Sequence, residues 1–161
     1  MKLKSLLTVM AVLFAFSFCN AGCSNDNQTA PQNNENGNEN TNINSTSKMK
    51  ITIGTAVLTA TLYDNPSAAA LKAMFPLTIN MSELNGNEKY HDFPAMLPAN
   101  ASIGGDIKAG DITLYGTNVL ALFYKSFNTS YSYTKLGYID NPSGLAAALG
   151  AGNVVVKFEN N

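Results

Sequence analysis

The chain has 161 residues and carries 10 basic and 11 acidic side chains, so its formal net charge at pH 7 is only -1. A chain so close to neutral lacks the basic excess that nucleic-acid binding or electrostatic adhesion to a membrane would need, which argues against both functions. All the basic residues are lysines, and the chain has one histidine, two cysteines and no tryptophan.

Residues 1–22 have the pattern of an export signal. Two lysines precede an apolar run, residues 6–18, that is too short to span a bilayer. Ala21-Gly22 before Cys23 resembles the cleavage box of bacterial lipoproteins, although Asn20 departs from its usual leucine. The resemblance implies a signal peptide over residues 1–22, a lipid on the Cys23 sulfur, and a mature protein anchored in the bacterial cell envelope, facing the periplasm or the cell exterior. An ordinary secretory signal with an incidental cysteine is the alternative.

Residues 23–48 are predicted to be a disordered tether. Nine asparagines occur between residues 24 and 48, with almost no apolar residue among them. Such a composition cannot bury enough surface to offset chain entropy. The remaining residues, 49–161, fit one domain of ordinary size.

The stretch from Met49 to Phe75 predicts a strand that runs directly into a helix. Apolar residues and threonines alternate on both sides of Gly54, and a glycine inside such a pattern indicates a bulge that bends one long strand. Asn65 and Pro66 have the properties of an N-cap and of a first helical residue. Alanine-rich sequence follows until Pro76, which cannot continue a helix.

The tetrapeptide Asp64 to Ser67 occurs again as Asp140 to Ser143. We expect the same N-cap and first-turn arrangement there, followed by a short helix over residues 144–149 that ends at Gly150. Two helices that need the same first residues would converge on them, so convergence is favoured over an ancient duplication.

Most of the remaining domain is predicted to be β-structure. Residues 90–97, bracketed by prolines, are expected to form an ordered loop or an edge strand. Residues 126–133 are polar and are expected to form a mobile loop, and Gly104-Gly105 is expected to be a turn. Asn85-Gly86 is predicted to be a hairpin turn. Alternation of apolar residues predicts further strands over residues 77–81, 119–124, 135–139 and 153–158.

A mainly β chain with two short helices forms either a sandwich or a closed barrel, and two helices that can cap the open ends favour the barrel. Five motifs resemble the small bacterial cyclophilin-like domain family: Ile51 to Gly54, Thr61 to Ala68, Ala109 to Ile112, Leu120 to Lys125 and Leu136 to Asp140. The resemblance spans nearly all of residues 49–158. It implies a closed antiparallel barrel of about eight strands with a short capping helix at each end.

True cyclophilins isomerise X-Pro peptide bonds with the help of an arginine beside an apolar proline site, and this chain has no arginine. Lysine does not reproduce the rigid, weakly hydrated guanidinium fork. Loss of such a preorganised donor typically costs about 2.7–4 kcal/mol of transition-state stabilisation. A weak isomerase therefore remains an alternative, with Lys89 and Tyr90 as the only local candidates for a donor.

Other enzyme classes have less support. His91 is the only imidazole and lies in a polar segment, where a histidine usually serves as a surface or hydrogen-bonding residue. A metal site needs several ligands, and Asp106 and Asp111 lie in turn signals where aspartate caps the backbone. We therefore predict no catalytic residue, no metal site and no cofactor.

Binding is the function that the sequence favours. Tyrosine joins apolar area to a hydroxyl group at low entropic cost, which suits a ligand groove. The expected ligand is a small molecule or a proline-containing peptide, bound without strong catalysis. A structural role in an envelope complex is a second alternative. The residues predicted to line the groove are Tyr90, Phe93, Tyr115, Phe123 and Tyr124.

Overall fold

The structure is a computed structural model that describes residues 47–161. The predicted signal peptide, the lipid site at Cys23 and the tether up to residue 46 lie outside the described residues. The first strand begins at Ser47, two residues before the expected start of the domain. Neither helix in the described part of the chain is long and apolar enough to cross a membrane.

Residues 47–161 contain nine strands and two short helices. The helices are α1, Pro66–Ala73, and α2, Leu145–Leu149. The strands are β1 Ser47–Ile53, β2 Ala56–Leu62, β3 Leu77–Leu84, β4 Glu88–Asp92, β5 Ser102–Ile107, β6 Asp111–Tyr115, β7 Val119–Phe123, β8 Phe127–Ile139 and β9 Val154–Asn160.

Eight of these strands form a closed barrel. Their order is β2-β1-β9-β3-β4-β7-β6-β8, and β8 pairs with β2 to complete the circle. Every pairing is antiparallel. The ninth strand, β5, pairs with the first half of β8. The predicted mainly β fold, a closed eight-stranded antiparallel barrel with two short helices, is confirmed.

Side-chain alternation separates two apolar clusters. Along β7, Leu120 and Leu122 belong to a large cluster with members from most of the strands and from both helices, which fills the barrel. Ala121 and Phe123 point the opposite way, as a period of two requires, and pack with Ile107 and Tyr133 in a smaller cluster on the outer face. The long β8 and its partner β5 therefore cover one part of the outer surface.

The two Asp-Asn-Pro-Ser segments have different structures. At α1, the Asn65 side chain accepts a hydrogen bond from the amide of Ala68 at 2.9 Å, and the helix starts at Pro66 as predicted. At the second segment, Asn141 accepts from the amide of Ser143 at 3.1 Å. This local turn replaces a helix cap, and α2 begins only at Leu145. The prediction that both helices start with the same N-cap arrangement is therefore wrong.

The predicted bulge at Gly54 is a hairpin turn. Ile53 and Ala56 face each other across β1 and β2, which leaves Gly54-Thr55 as a two-residue loop. Gly54 has a φ of 57°, as the first central residue of a type II′ turn requires. A bulge and a tight turn carry the same glycine signal, and only the partner strand distinguishes them.

Three further segments were expected to be a loop, a turn or an edge strand. In the structure they belong to strands, because hydrogen bonds to a partner strand outweigh the preference of the local sequence. Residues 90–92 belong to β4, which lies between β3 and β7 and is not an edge strand. Residues 127–133 are the first half of β8, since β5 supplies hydrogen-bonding partners for a sequence whose composition resembles a loop. Gly104-Gly105 lies within β5 at a register shift against β8.

Candidate functional site

A groove of about 310 Å³ lies on the outer face of the barrel, where β4, β6, β7 and β8 meet. We call it the outer-face groove. Its walls combine tyrosine rings with two carboxylates. Its lining residues are Leu84, Asn85, Glu88, Tyr90, Asp92, Tyr115, Val119, Ala121, Tyr131 and Tyr133.

Side chains along β4 point alternately to the two faces of the sheet, so only every second one reaches the groove. Glu88, Tyr90 and Asp92 point outward and line it. Lys89, between them, is fully buried, and Phe93 beyond the strand belongs to the core cluster inside the barrel. One strand therefore supplies a carboxylate, a phenol and a second carboxylate to the groove from alternate positions.

Three tyrosines form the aromatic wall of the groove. The ring of Tyr115 lies 6.2 Å from that of Tyr131, at 90°, and 5.7 Å from that of Tyr133, at 53°. Tyr133 in turn packs perpendicular to Phe123 at 5.6 Å, so the buried cluster on the outer face supports the wall. Burial, followed by the charge of Glu88, raises the pKa of Tyr133 to about 12 and keeps its hydroxyl protonated.

Glu88 is the unusual polar group of the groove. It is only 8% exposed, and no hydrogen bond or ion pair joins its carboxylate to another residue in the described part of the chain. Burial, with a smaller contribution from the charge of Glu83, raises the pKa of Glu88 to about 7. A carboxyl group in this condition changes charge near neutral pH.

Lys89, in contrast, belongs to a cluster of hydrogen bonds and one ion pair that connects parts of the fold. Its ammonium donates to the carbonyl oxygens of Gly150 at 2.8 Å and Gly152 at 2.7 Å, and it forms an ion pair with Glu83. The Tyr124 hydroxyl donates to the same Glu83 carboxylate at 2.7 Å. The cluster ties β3 and β4 to the segment after α2. The Lys89 ammonium, a candidate donor in the isomerase alternative, is therefore engaged in this cluster and does not line the outer-face groove.

The structure brings together two of the five residues predicted to bind ligand. Tyr90 and Tyr115 line the outer-face groove, and Phe123 lies behind Tyr133 without lining it. Phe93 and Tyr124 pack against the core inside the barrel. The five therefore do not form one surface, because Phe93 and Tyr124 fall on the opposite side of the sheet from Tyr90 and Phe123.

The predicted ligand-binding residues did not include Glu88, Tyr131 or Tyr133. Alternation counted from the Asn85-Gly86 turn would have placed Glu88 on the same face as Tyr90, although no local signal reveals its burial. Tyr131 and Tyr133 lie in residues 126–133, whose polar composition predicted a loop and not a strand wall. Their alternation with serine is visible in the sequence and was the available signal.

His91 makes contacts with the backbone and with a neighbouring ring. Its Nδ1 donates to the carbonyl oxygen of Asn80 at 2.9 Å, and its ring lies edge-on to Phe93 at 5.3 Å. Within residues 47–161, no three histidine, cysteine, aspartate or glutamate side chains come together as metal ligands would.

A second cavity, of about 300 Å³, lies where α1 begins. Two of its polar lining groups are already engaged in bonds that hold the fold: Asn65 caps α1, and Thr134 accepts from the amide of Asn100 at 2.9 Å. The outer-face groove, with its unbonded buried carboxylate, is therefore the better candidate for a functional site.

Comparison with known proteins agrees with this architecture. A sequence model of the cyclophilin-like family matches residues 51–159, which span the barrel from β1 to β9 and include the whole outer-face groove. No curated protein shows significant similarity to the chain.

Proposed function

Because the chain belongs to the cyclophilin-like family, we propose that it is a binding domain that holds a small molecule or a short peptide in the outer-face groove, without strong catalysis. The observation that carries the proposal is the groove itself, a concavity lined by four tyrosines and by the largely buried side chain of Glu88. Ligand sites are typically concave and mostly apolar, with a few convergent polar groups and perturbed pKa values. The groove volume of about 310 Å³ suits a small ligand or one or two residues of a peptide.

The isomerase alternative has less support. The reaction benefits from a positive donor close to the prolyl nitrogen, yet none of the described residues that line the groove is basic. The carboxylates of Glu88 and Asp92 accept hydrogen bonds when ionised and would not replace an arginine. Tyrosine hydroxyls are the donors that remain, which is consistent with weak activity at most.

The scaffold alternative would be favoured by a broad apolar surface. Large apolar side chains with more than half of their surface exposed include Val57, Met96, Ile103 and Val155. They lie on β2, in the loop after β4, on β5 and on β9. Single exposed apolar residues are normal on protein surfaces, so they do not by themselves support an assembly role.

We further propose that the domain is exported and held at the membrane of the cell envelope by a lipid on Cys23. The support is the sequence pattern of residues 1–23, in which a short apolar run is followed by small residues and a cysteine. The groove would then meet its ligand outside the cytoplasm.

The proposal can be tested by NMR on the full chain in a nonionic detergent, titrated with an Ala-Pro peptide and with a set of small neutral and charged compounds. We expect at least one of these probes to shift the amide signals of groove residues such as Tyr90 and Ala121. We also expect cis/trans exchange of the peptide to stay at its uncatalysed rate.

The matched variants are Val119→Trp, which fills the groove, and Val57→Trp, which adds the same side chain on β2 outside it. Binding should be lost in the first and retained in the second. Accelerated exchange would restore the isomerase assignment, and a spectrum that no probe changes would overturn the binding proposal.

A further inference from the structure

We propose that the outer-face groove selects an organic cation, a substituted ammonium group held between tyrosine rings and the Glu88 carboxylate. The inference rests on the proposed function, because it names the ligand class of the same groove. Three features of the groove favour such a ligand: the charge of the lining, the arrangement of the rings and the isolation of Glu88.

The lining is negative although the chain as a whole is nearly neutral. Glu88 and Asp92 both line the groove, and none of its described lining residues is basic. Glu83, on the neighbouring strand β3, adds negative charge that acts on Glu88. An anionic ligand would be repelled here, whereas a cation would be attracted.

The tyrosine rings provide surfaces that attract a positive charge. Tyr115 packs against both Tyr131 and Tyr133, and the three rings are inclined to one another, so their faces are turned in different directions along the groove wall. The face of an aromatic ring carries negative electrostatic potential, and several rings grouped around one position recognise alkylated ammonium groups in other proteins.

Glu88 lacks an internal counter-ion in the described part of the chain. The nearest cation in sequence, Lys89, points to the opposite side of the sheet and is bonded to Glu83 and to two carbonyl oxygens. A buried carboxylate without a partner is unfavourable in its charged form. A bound cation would supply the missing charge, which gives the ligand a contact that a neutral molecule of the same shape lacks.

The groove volume limits the ligand to a small cation or to the end of one long side chain. A free small ammonium compound and a lysine side chain of a peptide share this chemistry. Both sources are therefore tested with a charged probe and an uncharged probe of matched shape.

The experiment is isothermal titration of the full chain in a nonionic detergent at pH 8. Choline is compared with 3,3-dimethylbutan-1-ol, which replaces its charged nitrogen by carbon. Nα-Acetyl-lysine amide is compared with the amide of Nα-acetyl-2-aminoheptanoic acid, in which a methyl group replaces the ammonium group. We expect at least one charged probe to bind about tenfold or more tightly than its neutral counterpart, because both the rings and the carboxylate favour the charge. The pair that shows this preference identifies the source.

Two variants and one control separate the contributions of the carboxylate and of the rings. Glu88→Gln should remove most of the preference for the cation, whereas Asp64→Asn, which removes one exposed charge outside the groove, should leave it unchanged. Tyr131→Leu should weaken binding of the charged probe severalfold and affect the neutral probe less.

The preference should also depend on pH. The titratable groups that line the groove with Glu88 are Asp92, Tyr115, Tyr131 and Tyr133, together with Tyr90 on its own strand. Glu83, which is paired with Lys89 outside the groove lining, also acts on Glu88 through its charge. Burial raises the pKa of Glu88 to about 7, so affinity for the cation should rise from pH 6 to pH 8. In Glu88→Gln this rise should disappear.

The outcomes distinguish this inference from the proposed function. Equal affinity for charged and neutral probes would overturn cation selectivity while leaving a binding groove. A preference that survives Glu88→Gln would overturn the role of that carboxylate. Failure of these four probes, while the Ala-Pro peptide or an uncharged compound still binds in the groove, would also overturn the inference. If no probe of any kind binds there, the proposed function itself fails.

Discussion

Two glutamates close to each other, Glu83 and Glu88, titrate in opposite directions. Burial opposes ionisation of Glu83, but hydrogen bonds from Lys89 and Tyr124 outweigh it and lower the pKa of Glu83. Glu88 has no such donor in the described part of the chain, and burial raises its pKa to about 7. The residue type is the same, so the direction of the shift is decided by the partners that the fold provides.

At the residue scale we predict that Glu88→Gln stabilises the protein above neutral pH. The carboxyl titrates near 4.5 when unfolded and near 7 when folded, so the folded state binds more protons between these values. Stability therefore falls as pH rises through this window. Glutamine keeps the shape and avoids the charge, and the gain at pH 8 should be at most about 3 kcal/mol.

Urea unfolding of both proteins at pH 5 and pH 8 measures this effect. The advantage of Glu88→Gln should be much larger at pH 8 than at pH 5. Glu159→Gln is the control, because hydrogen bonds from Lys157 and Lys50 lower the pKa of that partly exposed carboxyl and the variant should gain no stability. An advantage of Glu88→Gln that is equal at both pH values would contradict the assignment.

Identical local sequence does not produce identical elements in this chain. Asp-Asn-Pro-Ser starts α1 at Pro66, while its second copy forms a turn closed by Asn141 and Ser143. The Asn65 side chain also donates to the carbonyl oxygen of Lys135 at 2.9 Å. The cap of α1 is therefore supported by β8, a contact that the tetrapeptide alone does not encode.

At the element scale we predict that Gly137→Ala weakens the closure of the barrel. A Cβ atom at residue 137 would lie 2.3 Å from the carbonyl oxygen of Thr61 on β2. Strands β2 and β8 would have to separate where they pair, which should cost about 2 kcal/mol or more. The free energy of unfolding in urea measures the loss.

Gly152→Ala is the matched control, because a Cβ there meets nothing within 4 Å and the residue has no positive φ. Its effect should stay within about 0.5 kcal/mol. Hydrogen exchange adds a local readout, since the Tyr63 amide donates to the Leu136 carbonyl at 2.9 Å and should lose protection in Gly137→Ala. Equal stability of the two variants would show that close approach at Gly137 does not limit closure.

At the scale of the whole molecule, closure creates the groove as well as the core. The groove draws on β4, β6, β7 and β8, whose residues are far apart in sequence. Pairing of β5 with the first half of β8 holds Tyr131 and Tyr133 in a strand beside Tyr115. The proposed binding site thus depends on the same pairings that complete the sheet.

The proposed lipid anchor is also a property of the whole molecule. Cells grown with a labelled fatty acid should incorporate the label into the chain, and Cys23→Ser should abolish labelling and release the protein from the membrane fraction. Cys19→Ser should still be labelled and should stay in the membrane fraction, because that residue lies within the predicted signal. Labelling that persists in Cys23→Ser, or that is absent from the wild type, would contradict the proposal.

The sequence by itself determined those features that depend on neighbours along the chain. Alternation identified most strands, Asn65 and Pro66 identified the start of α1, and the motif resemblance indicated a closed barrel with two helices. Hairpin and bulge at Gly54 could not be distinguished, because both use the same glycine and differ only in the partner strand.

Only the tertiary structure decided the burial and the partners of individual side chains. Lys89 and Glu88 are consecutive, yet one bonds a carbonyl 61 residues away and the other lines a groove without a bonded partner in the described part of the chain. Phe93 and Tyr124 were assigned to the ligand site and instead pack against the core. The physical reason is that desolvation and charge pairing depend on atoms brought together through space, and alternation places a side chain on a face without specifying what covers that face.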